Sequence, residues 1–314
     1  MTAQLDVLHD TKYIPILDHG FIGLVDAMPN EIGAGDAAIV QAARVSYGKG
    51  TKTLRNDESL IRYLIRHHHN TPMEMVEFKF HIKMPILVAR QHVRHRTASI
   101  NEYSGRYSEM SNEFYVPEIP NIKPQAKDNK QGRNGEISLK NAQGVQEVMR
   151  IAYDNAYNAY QTLLGRENTD FYDLYNPNDG LLDDEFRETD QPGGIAKELA
   201  RSVLPVGNYT EMYWKMDLSN LFNYMRLRSD PHAQYEIRVY ADAMAKLIKP
   251  YVPIAFRAYE DYILNSTKFS GPEMVVIKNI VKNMRREDLE DLLLGEGLSL
   301  REINEFAGKI FDKN

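Results

Sequence analysis

The 314-residue sequence contains no cysteine, which removes disulfides, thiolate metal ligands and cysteine nucleophiles together. No apolar run approaches the roughly 20 residues that cross a bilayer. The start MTAQLDVLHDTKY has neither the basic opening nor the apolar core of an export signal. A cytoplasmic protein with no membrane partner is expected. Positive charge is not in excess either. With 38 Lys and Arg against 44 Asp and Glu, the formal net charge is −6, which counts against a general nucleic-acid coat because backbone phosphate demands broadly clustered positive charge. No repeat is visible at solenoid periods. What is present, 43 % apolar residues with 10 % aromatics, is ample for a globular core.

Periodicity sketches the elements. Leu60, Ile61, Leu64 and Ile65 form a helical stripe that starts from Asp57 and stops at the run His67-His68-His69-Asn70-Thr71-Pro72. Val76, Phe78, Phe80, Ile82 and Met84 alternate with Glu77, Lys79, His81 and Lys83 as a strand with one core face and one wet or interfacial face. Pro85 suits the first turn of a short helix that buries Ile86, Leu87, Ala89 and Val93 and delivers Arg94 to its end. Residues 121–135 read as a mobile loop, and 167–190 as an acidic surface insertion. Between them, Val145, Val148, Met149, Ala152, Ala156, Tyr160 and Leu163 keep helical spacing up to Gly165. Ile195, Leu199 and Val203 mark a helix ending before Pro205, and Tyr209–Met216 reads as a second strand. Asp217 is placed to cap a helix buried through Leu218, Leu221, Phe222 and Met225, with Arg226 and Arg228 near its end. A further helix is expected from Pro231-His232, burying Ile237, Tyr240, Ala241, Met244 and Leu247. From residue 266 the composition turns to charged, short helices, with a capping-box pattern from Ser299 to Glu302.

Chemistry concentrates in one run, RHRTASINEYSGR. Arg94, His95, Arg96, Ser99, Asn101, Glu102, Ser104 and Arg106 supply more hydrogen-bonding capacity than a core accepts without a partner. Guanidiniums serve where a planar fork must grip phosphate or a base edge. Arg90 adds to the cluster, and Arg201 and Arg228 stand on later elements able to converge on it. An anionic, hydrogen-bonding ligand is the natural partner; a lone arginine would more simply be a surface ion pair. His67, His68 and His69 point about 100° apart on a helix and cannot chelate together, so no metal is expected. His69, next to Thr71-Pro72, is the one placed at a ligand. Ser104 lacks a partnered base and reads as a donor, not a nucleophile. Tyr47, Tyr103 and Tyr107 are able to stack on a ring, although packing is the commoner use of tyrosine.

The run resembles the RHRxxSxNExSxR signature of flavin-dependent thymidylate synthases, matching all eight fixed positions. The similarity extends from AARVS at 42–46 through HNTP and PILVARQ to ARSVLP at 200–205 and LRSDPHAQYEI at 227–237, covering about residues 14–265. Met75 stands where relatives often have His, and His92 where they often have an aromatic. With the element pattern, the resemblance implies an α+β fold, a mixed, largely antiparallel central sheet flanked by helices over 1–265, with a small helical C-terminal appendage at 266–314. It implies that dUMP is methylated to dTMP with FAD as cofactor, methylenetetrahydrofolate as carbon donor and NADPH as reductant, by a homotetramer with shared sites. The other, unrelated thymidylate synthase class attacks uracil with a cysteine, which this chain lacks. The resemblance assigns His69, Thr71, Arg94, His95, Arg96, Glu102, Asp217, Leu218, Ser219 and Asn223 to FAD. To dUMP it assigns Gln91, His92, Val93, Arg94, Glu102, Tyr103, Ser104, Gly105, Arg106, Arg201 and Arg228. Arg228 is the residue expected to favour the N3-ionised uracil and so raise electron density at C5. The rival readings are a nucleic-acid or nucleotide-binding regulator, with the charged helical tail as a DNA module, and a flavin reductase without methyl transfer.

Overall fold

The computed structural model describes residues 13–46, 56–127, 132–166 and 194–311. Tyr47 and the acidic stretch 167–190 lie outside them. Contacts divide the chain into two units, Met1–Leu264 and Asn265–Asn314.

The first unit is built on a five-stranded sheet in the order β1-β2-β3-β5-β4: Tyr13–Ile16, Gly20–Met28, Glu77–Pro85, Tyr209–Asp217 and, at the far edge, Ser99–Glu102. Every pairing is antiparallel, with Phe80 opposite Trp214 and Ser99 opposite Lys215. On one face of β3, Phe78, Phe80, Ile82 and Met84 are fully buried, each contributing about 1.5–3 kcal/mol of transfer free energy. The opposite face is drier than the alternation implies. His81 and Lys83 are buried there because each has a carboxylate: His81 meets Glu211 at 2.7 Å, and Lys83 meets Glu113 at 2.7 Å.

Helices α1 (Ala34–Val45) and α2 (Asp57–Arg66) precede β3, and α2 buries the four expected residues Leu60, Ile61, Leu64 and Ile65. Asn56 caps it by accepting from the Ser59 N–H at 3.0 Å. Pro85 closes β3 and serves as N-cap of α3 (Ile86–His92), one step before the helical turn expected for it. Helix α4 (Leu139–Leu163) is capped by Ser138 and stops where Gly165 takes φ 68°. Its burial runs through Ala142, Tyr160 and Thr162, while Val148 is 67 % exposed. The first half of the expected stripe therefore faces outward in the single chain.

Helix α5 is one turn, Lys197–Ala200, followed by a 3-10 turn at Arg201–Val203. Ile195, Leu199 and Val203 are exposed there, so the longer helix expected around them has no apolar face to bury. Helix α6 (Leu218–Arg228) is capped by Asp217, which accepts from the Asn220 N–H at 2.9 Å. Helix α7 (Tyr235–Ile248) begins four residues later than expected, because Asp230 ties His232 and Ala233 into a turn. The Tyr240 hydroxyl donates to the Lys83 carbonyl at 2.7 Å, and a Cβ at Gly20 would stand 2.2 Å from that hydroxyl, so the close approach requires glycine. Helix α8 (Pro253–Tyr259) takes its cap from afar: Asp36 accepts from Ile254 and Ala255 at 2.8 and 2.9 Å.

The second unit holds α9 (Gly271–Val281), α10 (Arg286–Gly295) and α11 (Leu300–Phe311). The expected Ser299–Glu302 box is present, and Ser270 with Glu273 forms another before α9. Leu289, Ile303, Ala307 and Ile310 are its buried apolar residues.

Candidate active site

Helix α3 presses Val88, Ala89 and His92 into the core and leaves Arg90 on its exposed side. The chain then leaves the helix, and Arg94 and Arg96 follow, both exposed. Among the described residues, Arg90, Arg94 and Arg96 have no ion-pair or side-chain hydrogen-bond partner. Three guanidiniums without a described counter-charge within seven positions leave positive charge available to an anion.

Behind them stands a wall of neutral rings. His92 is wholly buried, its ring 4.3 Å from Trp214 and its Nδ1 3.0 Å from the Tyr224 hydroxyl. Its Nε2 meets no partner, and burial pulls its pKa down to about 3. The structure places His92, expected at dUMP, in the core of the single chain. His95 packs edge-on against Tyr224 at 4.7 Å and is half-buried. Burial, and then the Arg228 charge, bring its pKa down to about 4. Its Nε2 accepts from Arg228 Nε at 3.0 Å, and the Arg228 Nη2 donates to the Gln91 carbonyl at 3.4 Å. The structure thus joins Gln91, His95 and Arg228. His95, expected as a flavin contact, accepts from Arg228 through Nε2, which leaves Nδ1 as the proton-bearing nitrogen.

A second set gathers where β4 ends. Glu102 accepts from the Thr210 hydroxyl at 2.7 Å, and the Tyr103 hydroxyl donates to the Glu109 carbonyl at 2.6 Å. Ser104 turns the chain: its carbonyl takes the Tyr107 and Ser108 N–H groups, and its Oγ accepts from the Arg106 N–H at 3.3 Å. A Cβ on Gly105 would meet Met110 Sδ at 2.9 Å and Arg201 Cδ at 3.1 Å, so this position lets Arg201 lie close. Arg106 Nε meets Glu198 Oε2 at 2.9 Å, and Arg201 donates only to the Glu198 carbonyl at 3.4 Å. Glu198 was not singled out by sequence reasoning. Its one signal is its place three residues before Arg201, on the turn that carries it. Both partners in the Arg106–Glu198 pair are more than half exposed, so the pair is worth little and yields readily to a stronger anion.

The third set surrounds the turn Thr71–Met75, which packs against α6 through the Leu218 N–H to Val76 carbonyl bond of 2.8 Å. His69 and Thr71 are exposed, and the His69 ring lies 5.6 Å from Tyr63. Asp217 is occupied as a cap on Asn220, and Leu218 is fully buried, so this corner offers a ligand the Leu218 backbone, Ser219 and the exposed Asn223. Asn223 accepts from Arg226 at 2.9 Å. No group of three His, Asp or Glu side chains among the described residues is placed to share a metal ion. The exposed hydroxyl, amide and imidazole groups of this corner are of the kind that orient a polar cofactor.

Residues 24–254 match the family model described as thymidylate synthase complementing protein. The chain is 48 % identical over 276 residues to the flavin-dependent thymidylate synthase of Rickettsia bellii, covering 87 % of each. It is 44 % identical to the enzyme of that name from Ruegeria pomeroyi, over 94 % of this chain and 87 % of the other. Among solved structures it resembles the UMP/dUMP methylase PolB of Streptomyces cacaoi bound with 5-Br dUMP. The TM-score is 0.63 at 29 % identity, over 81 % of this chain and 100 % of that one.

Proposed function

This chain belongs to the flavin-dependent thymidylate synthase family, and from that footing we propose that it converts dUMP to dTMP with FAD, methylenetetrahydrofolate and NADPH. The observation that carries the proposal is the pairing of three free guanidiniums at the end of α3 with an Arg228 held in place by His95. The first group has the charge to bind phosphorylated ligands, and the second aims a cation at one spot.

Arg94, Arg96, His69, Thr71, Glu102, Ser219 and Asn223, with the backbone at Asp217 and Leu218, are the groups to hold FAD. When bound, it supplies the reducing equivalents that turn a transferred methylene into a methyl group. The nucleotide is assigned to Gln91, Val93, Arg94 and the turn Glu102–Arg106 with Arg201. Its phosphate displaces Glu198 from Arg106. Because the chain has no thiol to add to the uracil ring, activation falls to charge. The Arg228 guanidinium, at the pyrimidine edge, stabilises the N3-ionised ring and so makes C5 the nucleophile toward the methylene carbon.

The exposed Val145, Val148 and Ile151 along α4 support assembly into a homotetramer with shared sites, since apolar area of this kind is normally covered by a partner. No described helix is long and apolar enough to cross a membrane, in keeping with a cytoplasmic enzyme.

The test is dTMP formation from labelled dUMP with the two co-substrates, with and without added FAD. Arg228→Ala is expected to lower turnover by roughly 100-fold or more while flavin absorbance of the purified protein stays. Turnover near the wild-type rate removes Arg228 from this role.

A further inference from the structure

A cavity of about 440 Å³ lies where residues 121–126 and 132–134 meet the start of α7. Lys123, Arg133, His232, Gln234, Tyr235 and Arg238 are among its lining residues, and no carboxylate is. The guanidinium carbons of Arg133 and Arg238 stand 5.8 and 5.9 Å from the Tyr235 ring centroid. One aromatic ring therefore steadies two cations, which reduces the rotamer freedom a ligand would have to remove.

The charges do not all cancel locally. Arg133 meets the buried Glu236 at 2.8 Å, and His232 meets Asp230 at 2.9 Å. Arg238 donates only to the Pro231 carbonyl at 3.1 Å, and Lys123 has no carboxylate partner among the described residues. Helix α7 starts at the same wall, and no side chain caps it, so its first N–H groups add to the positive field. In a chain of net charge −6, a cavity that brings Lys123 and Arg238 together with no carboxylate among its described lining residues is a selective feature.

We propose that this cavity is a second anion site, separate from the groups assigned to dUMP and FAD. Its ligand is a small molecule with two or more negative charges, phosphate or carboxylate. Two cations without counter-charge call for a multiply charged ligand, and the volume admits a molecule larger than a single ion. The site borders the catalytic groups: the Gln91 amide donates to Gln234 Oε1 at 2.6 Å, and the Gln91 carbonyl is the one that receives Arg228. It stands whether or not dUMP is the substrate.

The experiment is calorimetric titration of the full chain at low salt with pyrophosphate and, separately, with tri-γ-glutamate. With FAD and dUMP present at saturation, the expected result is one saturable site per chain that survives Arg106→Ala and weakens at least tenfold in Lys123→Ala and in Arg238→Ala. Saturation by pyrophosphate alone identifies a phosphorylated ligand, and saturation by the glutamate chain alone a polycarboxylate. Lys123 is an exposed loop residue, so its variant keeps the test intact if Arg238→Ala fails to fold. Absence of saturable binding by both probes overturns the proposal, as does binding that Arg106→Ala abolishes and Lys123→Ala leaves untouched.

Discussion

Arg228 takes its direction from a neutral histidine. The His95 Nε2 that accepts its Nε–H is able to do so only while unprotonated. His95→Ala is therefore expected to lower kcat by about tenfold with a smaller change in KM for dUMP. His95→Gln, which offers an oxygen in the same direction, should recover part of the loss. In the wild type, turnover should fall as pH drops through about 4, where His95 gains its second proton; a kcat profile read between pH 3 and pH 8 checks this. The same rings govern acid stability. His92 at about 3 and His95 at about 4 are both depressed below the ordinary 6.5. The unfolded chain therefore binds protons that the folded one refuses. Stability from these groups is complete above about pH 6.5 and drains as pH falls toward 4. His92→Phe should flatten that slope in thermal melts; an unchanged slope would show that His92 titrates normally. None of this was legible in the sequence. RHR displays its cations openly, but that His92 turns inward beside Trp214 while His95 turns toward Arg228 depends on a strand and a helix more than a hundred positions downstream.

At the scale of elements, the sheet is carried by β3 and β5, whose Phe80–Trp214 pair is fully buried. Phe80→Ala should cost about 3–5 kcal/mol, seen as a lower urea midpoint with an unchanged m-value. These two strands, α2 and the Asp217 cap were readable because period and cap act through neighbours in sequence. Within the segment read as a loop, Gln125 and Arg133 form a β-bridge and Arg133 meets Glu236, partners a local reading does not see. Strand β4 escaped notice for another reason. As an edge strand with all four residues exposed, it shows no alternation, and its pairing with β5 is set by register alone. The signature's Ser99, Asn101 and Glu102 thus stand on a rigid border where a linker would have been the simpler guess. Helix α5 was misjudged in length because Leu199 and Val203 imitate a core stripe while remaining exposed.

For the whole molecule, the family match ends at residue 254 and the first compact unit at Leu264, and the expectation to be tested is that catalysis belongs to that unit. A chain truncated after Leu264 should retain dUMP-dependent turnover within a factor of about two; an insoluble or inactive product would place the last three helices inside the catalytic machinery. Composition marks a change of character near residue 266, and contacts place the first unit's end at Leu264.

Glu198 gives the resting molecule its manners toward polyanions. Its carboxylate sits on Arg106 as a weak placeholder, so any newcomer must evict it before the guanidinium is free. A compact phosphate monoester brings enough charge at one point to win that exchange. A stretch of DNA, with its charges spread along a rigid backbone, gains far less at a single pocket. At this one guanidinium, the exchange thus favours a small, concentrated anion over an extended one.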